Sequence, residues 1–516
     1  MNRSNCLWCC GIMGVCLTIL GTILLPLLGP GVSKILAKEL ELTEGTSGWE
    51  SFIFTPIPVY FQIWVWNLTN PEHFLNGEKP HLEQRGPYTY RLIMFKENLV
   101  ENDNYTVSYT SPTGYVYVDD MSVGPSSEVF TTVNVVAFTA AALARSFGNS
   151  TDDRVHQALH LLSDAKILMT VSVDGFMWGY EDPYLKYIND LTNVSLPTKF
   201  GVFIGSNMTS DSVWTVNTGG DDIAKLNIID NVNGKSSLDY WRTDYANMIN
   251  GSDGTFMHPE LDAEKDNRVY IYVGIICRAA HLDYESKYKR DGILFYRYNV
   301  TEYLLAHPSI NPDNADFCDI AGNCPPSGLI NLTVCNYGAP LFGSLPHFLY
   351  GDKELTVNVS GMNPNEEEHR VYLDKDPLTG ATMIIQVRAQ LNFKVEKYDH
   401  LKETQYLKET YLPVVWLNES CDLDDEFVKY YKTSVLLPLN FALALFITIL
   451  VIGCGLLFGT LITVYKDYRE RKNPKKHKPT NMKEVHEKPQ LERFTSQTPL
   501  ENDFTDIVND KPQTTL

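Results

Sequence analysis

Two long apolar runs, one near each end of the chain, dominate the hydrophobic pattern. Leu7 to Leu28 and Val435 to Val464 contain no charged residue. At about 1.5 Å rise per residue, each run is long enough to cross a hydrocarbon layer of about 30 Å. A secretory signal peptide is the alternative for the first run, but its apolar core would be shorter, and Pro26 and Pro30 occupy the region of a cleavage site. The pattern therefore predicts a transmembrane helix near each terminus.

The charges beside the second run predict how the chain crosses the membrane. A cationic cluster follows Val464, formed by Lys466, Arg469, Arg471, Lys472, Lys475, Lys476 and Lys478. Basic residues next to a span favour the cytosolic side, and two crossings then place both termini in the cytosol. The expected organisation is a cytosolic N-terminus (1–6), a transmembrane helix (7–28), an extracellular or luminal domain (29–434), a second transmembrane helix (435–464) and a cytosolic tail (465–516).

Between the two runs, short strand-like stretches predominate. They are rich in β-branched and aromatic residues and bounded by Gly, Pro, Asn or Asp: Val59–Trp66, Tyr115–Val118, Arg268–Cys277, Leu294–Val300, Glu354–Val359 and Met383–Val395. One helix is predicted from Val133 to Phe147, ended by Gly148. It is apolar on nearly every side, which is typical of a buried helix; exposed, it would be a docking surface for lipid or protein.

Glycosylation sequons test the topology independently. Ten N-x-S/T sequons lie in the 29–434 segment, at Asn67, Asn104, Asn149, Asn193, Asn207, Asn250, Asn299, Asn331, Asn358 and Asn418. The cytosolic tail contains none, and the sequon at Asn2 would be cytosolic and unmodified. The formal net charge of −20 is carried by the middle segment. An acidic, glycosylated surface argues against nucleic acid as a partner.

The cysteines fall into two groups with different expected chemistry. Four of the five in the 29–434 segment lie between positions 277 and 335, where an oxidising compartment favours two disulfides with three possible pairings. A zinc site is the alternative, but no C-x-x-C or clustered His accompanies them. Cys6, Cys9 and Cys10 lie at the cytosolic edge of the first span, where they are candidates for S-palmitoylation or remain unmodified. Gly455 and Gly459 form a G-x-x-x-G in the second span.

Signatures of catalysis are absent from the sequence: there is no H-E-x-x-H, G-x-S-x-G, P-loop or G-x-G-x-x-G between a strand and a helix. We therefore predict neither an enzyme nor a cofactor. His156 and His160 are four residues apart on the predicted helical stretch, and neighbouring imidazoles that charge near pH 6 would sense acidification; a shared metal and a plain surface role are the alternatives. The chain ends Thr514-Thr515-Leu516, which suits capture by a PDZ groove.

Specific strings along the whole 29–434 segment carry more information than composition. They are Pro58-Val59-Tyr60, Asn67-Leu68-Thr69-Asn70-Pro71, Arg85-Gly86-Pro87-Tyr88-Thr89-Tyr90, Trp178-Gly179-Tyr180, Met248-Ile249-Asn250-Gly251, Cys277-Arg278, Leu345-Pro346-His347-Phe348, Gly361-Met362-Asn363-Pro364-Asn365 and Trp416-Leu417-Asn418-Glu419. With these strings in order between two terminal spans, the chain resembles the class B scavenger receptor family (the fatty acid translocase and lysosomal integral membrane protein type two family).

The resemblance implies an α+β fold: a large ectodomain with an antiparallel β-barrel-like core and an apical helical bundle, anchored by two transmembrane helices. It also implies an apolar tunnel that leads lipid toward the bilayer, and the disulfides Cys277–Cys335 and Cys318–Cys324. Cys421 has no family partner and is either a free thiol or part of an intermolecular bridge. Fatty-acid-binding members have basic residues on an apical helix, and the comparable stretch here contains only Lys166.

The function implied by the resemblance is a non-enzymatic receptor at the plasma membrane. It would bind lipids, fatty acids or lipoproteins at the ectodomain apex and pass lipid through the tunnel to the membrane. The alternative is a sorting receptor of the lysosomal membrane, which would bind a luminal enzyme through its apical helices and release it at acidic pH. The cysteine spacing and the His156/His160 pair favour the alternative, whereas the tail lacks an acidic dileucine signal.

Overall fold

The computed structural model describes residues 3–146, 160, 162–185, 189, 198–210, 212–319, 321–336 and 338–472. Its α-helices are α1 (Arg3–Leu40), α2 (Ser47–Ile53), α3 (Pro71–Leu75), α4 (Val135–Ser146), α5 (Val173–Trp178), α6 (Lys353–Asn358), α7 (Glu366–His369), α8 (Asp425–Tyr431) and α9 (Leu437–Lys472). A π-helical turn, Lys432–Leu436, joins α8 to α9. Short 3-10 helices are Asp119–Met121, Ile223–Lys225, Gly274–Ile276, Glu302–Leu305, Pro312–Phe317, Thr333–Cys335, Pro346–Phe348 and Lys402–Thr404.

The strands are numbered in chain order. They are β1 (Val59–Leu68), β2 (Leu82–Met94), β3 (Glu97–Asn102), β4 (Thr106–Thr110), β5 (Thr113–Tyr117), β6 (Val129–Val133), β7 (Leu168–Ser172), β8 (Tyr180–Glu181), β9 (Lys199–Phe200), β10 (Val213–Asn217), β11 (Ile229–Val232), β12 (Arg268–Val273), β13 (Arg278–Arg290), β14 (Ile293–Asn299), β15 (Ile330–Asn331), β16 (Leu341–Ser344), β17 (Tyr372–Lys375), β18 (Thr382–Val395) and β19 (Thr410–Cys421).

The largest sheet has 11 strands and is antiparallel. Its main path runs β12-β13-β14-β17-β18-β19-β1-β2-β5, with β16 paired to β18 and β15 paired to β16. A second sheet has the order β11-β10-β4-β3, and β6-β7 and β8-β9 form two short ribbons. The predicted α+β class with an antiparallel core is confirmed. Among the described strands the hydrogen-bonded path begins at β12 and ends at β5, and no pairing closes it.

Period-two alternation in β1 shows why the sheet has two different faces. Phe61, Ile63 and Val65 point to one face and are buried in the main hydrophobic core. Gln62 and Trp64 alternate with them and therefore lie on the opposite face. In the neighbouring β19 the partners of these two residues are Asn418 and Trp416, so one face is apolar and the other is polar and aromatic.

The predicted apolar helix forms as α4, and its burial is confirmed for the part that the structure describes. Phe138 and Ala141 are fully buried in the main core. The backbone N–H of Ala137 donates to Asn134 Oδ1 at 3.0 Å, which satisfies a free amide at the start of the helix. The expected end at Gly148 lies outside the described residues.

The strand predicted over Glu354–Val359 is wrong, because this stretch forms α6. Alternating Leu355, Val357 and Val359 suggests a strand, but positions i and i+4 also share one face of a helix. Leu355 and Val359 are buried, whereas Val357 is 53% exposed. A strand would place Val357 on the same face as Leu355 and Val359, whereas a helix places it on another side. Val357 faces solvent, as the helix requires.

The two apolar runs lie in α1 and α9, which are long and apolar enough to cross a bilayer. In the unit formed by residues 1–15 and 454–516, a Cβ at Gly14 would lie 2.9 Å from the Leu457 nitrogen. In the unit formed by residues 16–453, a Cβ at Gly453 would lie 2.6 Å from the Thr18 nitrogen. Glycine is needed for such close helix packing. Gly455 and Gly459 have no atom within 4 Å of an added Cβ, so the G-x-x-x-G pair makes neither contact.

Candidate functional site

An apolar cavity of about 320 Å³ lies between α4 and strands β16, β18 and β19. Its lining residues are Val135, Val136, Thr139, Phe176, Leu185, Lys199, Phe200, Gly201, Val202, Ile204, Ile275, Leu332, Asn336, Ala339, Leu341, Leu391, Phe393, Val414 and Val415. Its size is at the lower end of small-molecule pockets. The cavity has the size and chemistry to hold an apolar segment of a ligand.

Polar groups in the lining are few and mostly satisfied within the protein. The Thr139 hydroxyl donates to the Val135 carbonyl one turn earlier in α4, at 2.7 Å. The Asn336 amide donates to the Leu332 carbonyl at 2.8 Å. A buried hydroxyl or amide with a partner costs little. Neither group therefore demands a polar ligand inside the cavity.

Lys199 is the only charged residue among the described residues of the lining. It lies in β9, beside Glu181 of β8 in the strand pairing, and it is exposed to solvent. The cavity therefore combines an apolar interior with one solvent-facing amine. This arrangement suits an amphipathic molecule with an anionic head. Sequence reasoning missed Lys199, because a single lysine beside a sequon-rich loop has no distinguishing pattern.

The structure places Lys166, the predicted lipid contact, away from this cavity. Its amine pairs with Glu403, and its side chain is 77% exposed. The ion pair raises the pKa of Lys166 through a hydrogen bond to Glu403 and its negative charge. Lys166 is therefore a surface residue with an acidic partner, and its role in lipid binding stays a prediction.

The remaining predicted surface sites are only partly described. His160 is exposed and its carbonyl accepts a hydrogen bond from the Ser163 hydroxyl at 2.7 Å. Cys6 and Cys9 are exposed on α1, and Cys10 is half-buried. Several other predicted sites lie outside the described residues: His156, Asn149, Asn193 and the C-terminal Thr514-Thr515-Leu516. The pH-sensing, palmitoylation and PDZ predictions stay open.

Two disulfides connect the cysteines between positions 277 and 335. Cys277 bonds to Cys335, with Cα atoms 6.4 Å apart, and we name this the long bridge. Cys318 bonds to Cys324, with Cα atoms 4.4 Å apart, and we name this the short bridge. Both Cα distances are within or at the edge of the usual range. The pairing is the one that the family resemblance implies.

Cys421 is a buried free thiol at the end of β19. Its sulfur lies 3.8 Å from the Met383 carbonyl oxygen. Burial raises the pKa of the Cys421 thiol to about 12. The thiolate is the reactive form, so a buried thiol with this pKa is unsuited to an intermolecular bridge in the folded protein.

The predicted glycosylation sites differ widely in exposure. Exposed sequon asparagines are Asn104, Asn207 and Asn358, and half-buried ones are Asn67, Asn250 and Asn299. Asn331 and Asn418 are only 5% and 6% exposed. Asn331 Oδ1 accepts from the Thr333 backbone N–H at 2.9 Å. Modification of each site stays a prediction, and Asn418 lines a second cavity.

This second cavity, of about 610 Å³, lies on the polar face of the large sheet and is named the polar cavity. Its lining residues are Gln62, Trp64, Gln84, His347, Asn363, Glu367, Glu368, His369, Gln386, Arg388, Trp416, Asn418 and Ser420. Residues of β1, β18 and β19 form its floor by alternation. Segments around His347 and α7 form its wall. Sequence reasoning missed it, although three of the quoted strings contribute residues to it.

His347 and His369 form a stacked pair in the wall of the polar cavity, with ring centroids 4.2 Å apart. His347 Nδ1 accepts from the Asn363 backbone N–H at 3.0 Å, and its Nε2 donates to Gln84 Oε1 at 2.8 Å. His369 Nδ1 accepts from the Asn365 backbone N–H at 2.9 Å. These acceptor roles require neutral rings. Burial lowers the pKa of His347 to about 3 and that of His369 to about 4.

Comparison with known proteins agrees with these features. A family model described as the CD36 family matches residues 12–464. "Lysosome membrane protein 2" of Homo sapiens is 34% identical over 435 residues, which cover 84% of this chain and 88% of that protein. "Scavenger receptor class B member 1" of Bos taurus is 30% identical over 455 residues, or 88% of each chain. The protein of that name in Sus scrofa is 31% identical over the same length and shares.

Proposed function

The chain belongs to the CD36 family, and from that premise we propose that it is a non-enzymatic receptor for lipids or lipoproteins. It is a two-span membrane protein related to class B scavenger receptors. In the proposed function, the ectodomain takes up an amphipathic lipid and passes it toward the membrane. The apolar cavity is the observation that carries this proposal.

The energetics of the cavity support lipid as the ligand class. Each methylene moved out of water contributes about 0.8 kcal/mol, so an inserted segment of about ten methylenes contributes about 8 kcal/mol before the cost of ordering it. Lys199 adds an exposed charge contact worth about 0.2–1 kcal/mol to an anionic head. The apolar interior therefore supplies most of the affinity, and the lysine supplies a preference for negative charge.

Two variants separate these contributions. In full-length protein held in nanodiscs, we expect Ala339→Phe to fill the cavity and weaken binding of a fluorescent fatty acid and of its neutral methyl ester at least tenfold. Lys199→Gln should weaken the acid two- to fivefold and leave the ester unchanged. Ala224→Phe, at an exposed site, and Lys265→Gln, at a lysine that is 83% exposed, are the matched controls. Unchanged binding of both probes to Ala339→Phe would show that the cavity is not the lipid site.

A sorting receptor of the lysosomal membrane is the second candidate. The identity of 34% to a lysosome membrane protein favours it. Cell imaging distinguishes the two candidates, because a lipid receptor of the plasma membrane takes up lipoprotein at the cell surface. Confinement to acidic vesicles without uptake, together with capture of a luminal enzyme at neutral pH and its release at acidic pH, would favour the sorting receptor. A PDZ partner for the C-terminus remains part of either proposal.

A further inference from the structure

The polar cavity takes no part in the proposed lipid path, since it lies on the opposite face of the large sheet from the hydrophobic core. Gln62 and Trp64 of β1 oppose Asn418 and Trp416 of β19 in the strand register. On the other side of β19, Asn418 is the partner of Arg388 in β18. The floor is therefore a flat array of amide, guanidinium and indole groups, which suits a ligand rich in hydroxyls rather than a hydrocarbon.

Asn418 is the residue of this floor whose bonding is incomplete. Its Nδ2 donates to Gln62 Oε1 at 3.0 Å. Its Oδ1 is buried and has no hydrogen-bond partner among the described residues. A buried acceptor without a partner destabilises the folded protein. Asn418 is also the acceptor of an N-x-S/T sequon that ends at Ser420.

Next to Asn418 the cavity offers an aromatic surface. The indoles of Trp64 and Trp416 stack in parallel, with centroids 3.7 Å apart and an interplanar angle of 1°. Trp416 Nε1 donates to Gln84 Oε1 at 2.9 Å, which fixes its ring. Trp64 is only partly buried. Rigid aromatic faces with amphipathic edges, combined with amide and carboxylate groups, can contact both the C–H face and the hydroxyls of a sugar ring.

We infer that the polar cavity holds the inner sugars of an N-glycan attached to Asn418 itself. Attachment precedes pairing of β19 with β1 and β18, because Asn418 is nearly inaccessible afterwards. A luminal transferase moves the glycan from a lipid diphosphate donor: the sugar C1–O bond breaks, the C1–Nδ2 bond forms, and the Nδ2 proton leaves with the diphosphate. The remaining N–H still donates to Gln62, and a sugar hydroxyl supplies the partner for Oδ1.

The predicted sites Asn104 and Asn358 differ from Asn418, because they are exposed and line neither the apolar nor the polar cavity. Sugars that pack on Trp64 are shielded from enzymes that trim or remove glycans. They also fill a cavity beside the stacked His347 and His369 rings. The glycan therefore acts as a structural part of the sheet face. It keeps its high-mannose structure, whereas glycans at exposed sites are processed.

The test uses the full-length glycoprotein from mammalian cells, with site-resolved glycopeptide mass spectrometry. An endoglycosidase specific for high-mannose glycans is added before or after denaturation. We expect occupancy at Asn418, an unprocessed glycan there, and release at least tenfold slower in the native protein than after denaturation. Trp64→Leu should accelerate native release several-fold. Ser420→Ala, which removes the glycan and keeps Asn418, should lower the melting temperature, whereas the matched Asn104→Gln should not.

An unoccupied Asn418 would overturn the inference, and so would a processed glycan released from the native protein as fast as from the denatured one. If Ser420→Ala fails to fold, native protection in the wild-type chain and its loss in Trp64→Leu still decide the question. These measurements require no lipid ligand, so their failure is distinguishable from failure of the proposed receptor function.

Discussion

The stacked pair His347 and His369 makes the stability of the ectodomain depend on pH in a way that two substitutions can isolate. Their ordinary pKa is 6.5, and burial lowers it to about 3 for His347, with a further contribution from His369. For His369, burial and then the charge of Arg388 lower it to about 4. Between these values and pH 6.5 the unfolded chain binds more protons than the folded one. Stability therefore falls as pH falls through this window.

The size of the effect follows from the window. A histidine that stays neutral in the folded state loses about 2 kcal/mol of unfolding free energy between pH 7.5 and pH 5.0, at about 1.36 kcal/mol per pH unit below 6.5. Two residues give about 4 kcal/mol, which residual solvation of the rings reduces to about 3 kcal/mol. With an unfolding entropy of about 0.8 kcal/mol/K for a domain of roughly 400 residues, this corresponds to about 4 °C in melting temperature.

The assay compares the wild type with the double variant His347→Gln, His369→Gln by intrinsic fluorescence melting of full-length protein in detergent. Glutamine keeps a donor and an acceptor but does not titrate. We expect the wild type to lose about 4 °C more than the double variant between pH 7.5 and pH 5.0. The exposed His81→Gln is the control and should behave as the wild type. Equal losses in the wild type and the double variant would refute the reasoning.

Three further outcomes are expected. Burial lowers the pKa of Lys375 to about 7. The free energy of unfolding should therefore rise by about 2 kcal/mol from pH 7.5 to 9. Denaturant titrations should show that Lys375→Met removes this rise. Replacing both cysteines of the long bridge by serine should cost about 4 kcal/mol, against about 2 kcal/mol for the short bridge, because the closed loops differ in length; equal melting temperatures would contradict this. Cys421 should react with a maleimide only after unfolding, as mass spectrometry of the peptide that contains it can show.

Local patterns were sufficient to predict much of the architecture. Stretches rich in β-branched and aromatic residues located β1 and β18, and uniform apolarity located α4 and the two membrane helices. These features depend on neighbours within a few residues. The same composition gave the wrong element at α6, where Leu355 and Val359 would share a face in a strand and in a helix. Only the exposure of Val357, which depends on what packs against the segment, separates the two.

The candidate site was less predictable, because its residues meet through distant contacts. His347 bonds to Gln84, 263 positions away in the sequence. Neither the string around His347 nor the one around Trp416 indicates that they share a cavity. Lys199 likewise becomes a candidate ligand contact only because α4 and the strands β16, β18 and β19 form the apolar cavity that it lines. One local signal points to the polar cavity. Gln62 and Trp64 in β1, and Trp416 and Asn418 in β19, recur at every second position and so lie on one face of the sheet.

The position of β1 and β19 side by side determines how the protein would respond to mechanical load. β1 follows the first membrane helix and β19 leads into the second, and Val59 pairs with Cys421 at that end of the two strands. A force along the axes of these two strands would act on both of them from the same end. Antiparallel hydrogen bonds lie perpendicular to the strands, so β2 and β18 would resist in shear, with many bonds loaded at once. The sheet would therefore resist such a force through many hydrogen bonds at once, rather than one bond at a time.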